Sequence, residues 1–213
     1  MKTFPALIAT AALAALTGCI SLPEVFNPEQ SHPLYTPTNY RGDAKLAPEI
    51  QRVAFLPIHG GEVVPPETAA GLDPVLVTAL QHQMRFEVVV VSRADCQHLF
   101  GSGDFSSTAA LPHGFLEKIA EKYAVDAVLF TDLTVYHPYR PLALGLRAKL
   151  AMIRDVRLVW AFDEVFSAAD EKMVNTVRRH YREGDRSTPA VLQSPARFGA
   201  VAAEVMFRTL PAR

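Results

Sequence analysis

Three short, almost unbroken apolar runs, residues 52–58, 86–91 and 127–130, narrow the folds open to this chain more than anything else in it. A strand wetted on one face alternates apolar and polar side chains, whereas a strand covered on both faces reads as a continuous apolar run. Between these runs the period changes. Leu72, Val75, Leu76, Ala79, Leu80 and Gln83 recur at helical spacing, and Asp73-Pro74 reads as an N-cap with proline at the first helical position. Ser92-Arg93-Ala94-Asp95 reads as a capping box opening a short helix toward Phe100. Phe115, Leu116, Ile119, Ala120 and Tyr123 mark another helix, with Glu117, Lys118, Glu121 and Lys122 facing out. Buried strands joined by such helices predict a sheet with helices on both faces.

Further on, Leu144, Leu146, Ala148, Leu150 and Met152 alternate with Gly145, Arg147, Lys149 and Ala151, the period of a strand with one wet face. Another strand over residues 157–166 follows a turn near Arg154-Asp155, so the two are expected to form an antiparallel hairpin. Ser167 is placed to cap a helix carrying Met173, Val174, Val177 and Tyr181, and Ser194-Pro195 to open a last, amphipathic helix with Phe198, Val201, Ala202, Val205, Met206 and Leu210 inward. The expected element order is βαβααβββαα. It describes one three-layer α/β domain over residues 49–213, a mixed sheet of about five strands flanked by helices. Residues 19–48, broken by Pro23, Pro28, Pro33, Pro37 and Pro48, read as a proline-rich tether. Its Val25, Phe26, Leu34, Tyr35 and Tyr40 leave open that part of it packs on the domain.

At the other end, Lys2 precedes an apolar stretch from Phe4 to Leu16 that is too short to span a bilayer as a helix and has the form of a signal peptide. It closes on Leu16-Thr17-Gly18-Cys19, which resembles the lipobox of bacterial lipoprotein precursors. The resemblance implies that residues 1–18 are removed and that Cys19, lipidated on its sulfur and then its amino group, becomes the first residue of an anchored chain. Two or more acyl chains hold a protein stably at a membrane without crossing it. Ile20 after the cysteine, where an aspartate would signal inner-membrane retention in enterobacteria, favours the outer membrane, on its periplasmic side.

The charge balance excludes a nucleic-acid field: the net charge is −1. With Cys19 lipidated, Cys96 is the one thiol left and makes no internal disulfide; at an apolar helical position it reads as a small buried hydrophobe. The seven histidines form neither an H-x-x-x-H pair nor a Cys/His cluster, so no metal or cofactor is expected. Gly101-Ser102-Gly103 lacks the nucleophile-elbow spacing, and Gly60-Gly61 leads into no phosphate-binding fingerprint, so no catalytic residues are assigned. Arg178, Arg179 and Arg182 read as a solvated basic helix face.

An early Arg-Val-Ala-Phe-Leu-Pro strand, a Phe-Glu-Val-Val-Val-Val-Ser-Arg strand-to-helix junction, and Tyr123-Ala124-Val125-Asp126-Ala127-Val128-Leu129 ahead of a hairpin that reaches Trp160 together resemble a superfamily of envelope lipoproteins. That superfamily includes CsgG, LpoB and the amino-terminal domain of TolB. The resemblance implies a three-layer α/β domain that binds other envelope components. It also departs from CsgG, because no extra pair of alternating segments is present to build a pore. The expectation is therefore a non-enzymatic, lipid-anchored periplasmic adaptor acting in envelope assembly through an unidentified envelope protein. The alternatives are an anchored hydrolase with a site assembled from distant residues and a subunit of a homo-oligomeric ring. The least generic stretch is residues 132–141, which puts Tyr136, His137, Tyr139 and Arg140 on a connection pinned by Pro138 and Pro141. Tyrosine and arginine are enriched at binding hot spots, so these four, extended by Arg147, are the candidate partner-binding residues.

Overall fold

A computed structural model describes residues 32–181 and 188–213. The lipobox residues Leu16, Thr17, Gly18 and Cys19, like Arg182, lie outside the described residues. The described chain forms a six-stranded mixed sheet in the order β1-β6-β5-β4-β2-β3. Its strands are β1 (Tyr40–Gly42), β2 (Arg52–Phe55), β3 (Glu87–Val90), β4 (Ala127–His137), β5 (Ala143–Met152) and β6 (Arg157–Ser167). The helices are α1 (Pro66–Gln81), α2 (Arg93–Phe100), α3 (Phe115–Tyr123), α4 (Glu171–His180), α5 (Thr188–Val191) and α6 (Pro195–Phe207). From β2 onward the expected order is observed, with the short α5 added between the last two helices.

The period of each strand sets the layers. β2 pairs in parallel with β3 and β4, and its alternate residues go to opposite faces: Val53 and Phe55 under α1 and α6, Ala54 and Leu56 under α2 and α3. Both faces of β2 are therefore dry, as its unbroken apolar run requires. The β4–β5–β6 meander is antiparallel; the first half of β4 is still buried on both faces, with Val128 and Phe130 packed with the α2 and α3 layer, whereas β5 and β6 are covered on one face only. Leu144, Leu146, Ala148 and Leu150 of β5, with Trp160, Phe162 and Phe166 of β6, face the α1, α4 and α6 layer, where each fully buried side chain contributes roughly 1.5–3 kcal/mol. On the other face Arg147, Lys149 and Asp163 remain half-exposed. Gly145 belongs to a bulge where a Cβ would lie 2.8 Å from the Val135 amide nitrogen, so the β4–β5 ladder closes only on glycine here.

Two helix starts differ from expectation. α1 begins at Pro66, a turn and more before Asp73-Pro74, which leaves Pro74 inside the helix. Proline does stand at the first helical position, but it is Pro66; Asp73 points its carboxylate out of the helix to accept from the Ile58 amide at 2.8 Å. α4 is capped by Asp170, whose carboxylate accepts from the Lys172 amide, while Ser167 ends β6 and bonds Ala169 instead. The capping box holds: Ser92 Oγ accepts from the Asp95 amide and opens α2 directly after β3. Ser194 likewise caps α6.

The domain begins earlier than residue 49. Residues 32–48, expected as the second half of the tether, pack on the domain, through Asp43 along the β6 edge and at Lys45 and Leu46 against Ala212, realising the packing that their apolar residues left open. Tyr35 packs on Phe166 with ring centroids 5.4 Å apart, β1 pairs antiparallel with β6, and Leu46 is buried. The buried carboxylate of Glu164 organises this strap. It accepts from the Tyr35 hydroxyl at 2.8 Å, the Asn39 amide at 2.6 Å, and both the amide and hydroxyl of Thr38. Burial pushes the Glu164 pKa up, but the Asn39 and Thr38 amides and the Tyr35 hydroxyl outweigh it and hold it below the ordinary value.

Candidate functional site

The β4–β5 connection is the most exposed part of the predicted surface. Tyr139 stands 77% exposed, with His137, Arg140 and Pro141 also open to solvent. His137 Nδ1 lies 3.1 Å from the Tyr139 carbonyl oxygen and 3.3 Å from that of Pro141, which staples the connection across its base. Tyr136 does not join the exposed group. It pairs with Leu144 and packs against the α1/α6 side of the core, where burial raises its pKa. Arg147 lies on the opposite face of the sheet, three residues from Leu144, and donates through Nε to Asp163 at 2.7 Å. Of the five candidate residues, the fold thus brings His137, Tyr139 and Arg140 together at the tip, roots them on Tyr136, and leaves Arg147 apart.

A polar cluster that local sequence did not reveal forms where β2 and β3 end. Arg93, the first residue of α2, donates Nε to Asp73 at 3.0 Å, Nη1 to Asp104 at 2.7 Å, and Nη2 to the Ile58 carbonyl at 2.8 Å. A second Nη2 contact reaches Asp73 at 3.2 Å. His59 Nδ1 meets the other Asp104 oxygen at 2.7 Å. The partners are 11 to 45 residues apart in sequence, so no spacing motif could show them. Carboxyl ends of parallel strands are the usual ligand crevice of α/β sheets. Here the guanidinium fork is spent on protein acceptors, which makes Arg93 a clamp between α1, α2 and two loops.

The His59–Asp104 pair has the geometry of a base and its orienting carboxylate, yet no serine, threonine or cysteine is hydrogen-bonded to the His59 ring among the described residues. Nearby, Ser107 donates its hydroxyl to Asp132, an acid already held by the Ser107 amide at 2.9 Å, and Lys149 reaches the Ser107 carbonyl at 2.7 Å. These contacts bind the 101–108 loop to the sheet. Cys96 is fully buried, and burial, then the charges of Asp95 and Asp104, push its pKa up to about 11. Among the described residues no group of three or more His, Cys, Asp or Glu is placed to hold a metal ion, and no helix is long and apolar enough to cross a membrane.

No family model matches the chain, and no curated protein matches it. Among solved structures it is similar to the PelC dodecamer from Paraburkholderia phytofirmans, with 11% identity over 82% of this chain and 98% of that one and a TM-score of 0.48. It is also similar to the lipoprotein GNA1162 from Neisseria meningitidis, with 17% identity over 55% of this chain and 79% of that one and a TM-score of 0.40. The C-terminal domain of LpoB from Salmonella enterica, one of the proteins that the sequence motifs resemble, gives 16% identity over 55% of this chain and 82% of that one, with a TM-score of 0.36. At these identities the likeness is one of chain path and names no partner for this protein.

Proposed function

We propose that this protein is a lipid-anchored adaptor on the periplasmic side of the envelope, attached through Cys19 with the outer membrane favoured, and that its β4–β5 connection binds another envelope protein. The observation that carries this reading is Tyr139, a large aromatic side chain held 77% exposed on a connection stapled by His137. A side chain presented on restrained backbone loses less freedom on binding than one on a slack loop. Because residues 32–48 pack on the domain, residues 20–31 alone would separate Cys19 from it. Fully extended, they reach at most about 40 Å.

Two measurements test the reading. Labelling cells with a palmitate analogue should mark the wild-type protein, and Cys19→Ala should abolish both the label and membrane retention; retained label refutes the anchor. Crosslinking in cells should capture a partner, and Tyr139→Ala or Arg140→Ala should weaken that capture by about 1–4 kcal/mol at unchanged melting temperature. If Tyr139→Ala lowers the melting temperature by several degrees and capture falls only in step with unfolding, the tyrosine is a core cover and the surface is elsewhere.

A further inference from the structure

All three non-glycine residues with left-handed backbone among the described residues, Met84 (φ 50°), Ala124 (φ 51°) and Val156 (φ 51°), lie at the end of the sheet from which β2, β3 and β4 set out. Val156 is β-branched and 70% exposed, and Met84 is 87% exposed. Two large apolar side chains are thus held out into solvent on backbone that suits glycine or asparagine better.

A groove runs across this end of the sheet from Met84 to Arg154. Its larger part, of about 860 Å³, passes Met84, Arg85 and Phe86, and a smaller part of about 270 Å³ passes Val125, Ile153 and Arg154. Glu49 and Asp126 line both parts and make them continuous. Several of the polar groups are already engaged. Glu87 pairs with Arg52 at 3.1 Å, Asp126 accepts from the Gln51 and Arg52 amides, and Arg213 donates to the Arg85 and Ile50 carbonyls. Among the described residues Arg85 and Arg154, toward opposite ends of the groove, have no ion pair, and neither does Glu49 between them. The Arg85 Nε is buried without a hydrogen-bond partner among the described residues.

We propose that this groove is a second binding site, which takes an extended segment of a partner chain carrying two carboxylates about four residues apart with apolar side chains between them. The spacing follows from the sheet. Arg85 precedes β3 and Arg154 follows β5, three strand intervals of about 4.8 Å away, and an extended peptide covers that span in about four residues at roughly 3.3 Å each. The two guanidinium groups supply complementary charge, and Met84 and Ile153 supply apolar walls. Glu49 in the middle selects against a continuous acidic run. The groove lies at the opposite end of the sheet from the β4–β5 connection and from Tyr35, so it does not depend on the surface proposed above.

The test uses the purified full chain and a fluorescein-labelled peptide, Ser-Asp-Val-Ser-Val-Asp-Ser, followed by fluorescence anisotropy. Saturable binding is expected, at least fivefold weaker with Arg85→Gln or with the exposed Arg154→Gln, and unaltered by Tyr139→Ala. Met84→Gly should raise the melting temperature by relieving left-handed strain while weakening binding, a pairing that loss of a purely structural residue would not produce. No saturable binding, equal binding of the peptide with lysine in place of both aspartates, or undiminished binding by the Arg85→Gln/Arg154→Gln double variant would each overturn the proposal.

Discussion

Replacing Glu164 with alanine should loosen the strap formed by residues 32–43 while leaving the sheet beneath it intact. The carboxylate is 9% exposed and accepts from the Asn39 and Thr38 amides and the Tyr35 and Thr38 hydroxyls. Each hydrogen bond to a charged group contributes about 1.5–3 kcal/mol, so the two amides and the tyrosine together set a scale of several kcal/mol. That full scale is not expected, because a strap at a sheet edge can lift off and regain water. It then forfeits only what holds it locally: the three-residue β1 pairing, the Tyr35–Phe166 contact and the Thr176 hydroxyl that accepts from the Tyr35 amide. We expect about 2–3 kcal/mol of local destabilisation, which is roughly a 30- to 150-fold rise in amide exchange at Thr38 and Asn39 and a much smaller change at Val53 and Leu129. Hydrogen exchange with mass analysis reads both. Because the folded pKa of Glu164 is lowered, its contribution is complete above the unfolded carboxylate value near 4.3 and is lost as pH falls through the folded value. The wild-type strap should therefore exchange faster, relative to the core, in acid. Unchanged exchange at residues 38–42 in Glu164→Ala, or equal acceleration in strap and core, would refute the reasoning.

Arg93→Ala removes the cation shared by Asp73 and Asp104, leaving them only the Ile58 amide and the His59 ring, and should cost about 1.5–3 kcal/mol in urea unfolding. The Asp73 pKa is already raised, chiefly by burial, so a proton taken up in mild acid relieves this variant and its deficit should be smaller near pH 4.5 than at pH 7; a deficit independent of pH refutes the electrostatic account. Cys96, fully buried with its pKa pushed up to about 11, holds roughly a hundredfold less thiolate at pH 8 than an ordinary cysteine, so iodoacetamide should modify it only on unfolding, and rapid modification of the native protein would contradict its placement.

What could be read in the chain follows from how many faces an element buries. The unbroken runs of β2 and β4 and the alternation of β5 signalled two-faced and one-faced burial, because period records which side chains meet water; the equally apolar run of β3 misled, since it lies at the sheet edge with Val90 50% exposed. Caps were legible where the capping side chain acts within its own turn, as at Ser92 and Ser194, and misread at α1, where Asp73 serves Ile58 and Arg93 rather than the helix. The tip residues Tyr139 and Arg140 were legible as chemistry on a proline-pinned connection. Arg147 was legible as a wet-face residue of β5, but its engagement by Asp163 was not, since that depends on the register between β5 and β6.

The sequence by itself determined the elements, their order from β2 onward and the hairpin pairing, all of which rest on contacts within a few turns of chain. Tertiary structure alone decided the rest. β1 is a strand only because β6 is there to pair with it, and the Tyr35–Glu164 bond joins residues 129 apart. The His59–Asp104–Arg93–Asp73 cluster and the groove between Arg85 and Arg154 are assembled where strand ends from distant segments meet. Hydrophobic period is a local quantity averaged over many residues. A hydrogen-bonded partner or a groove wall is one residue brought from far along the chain, and no local average carries its address.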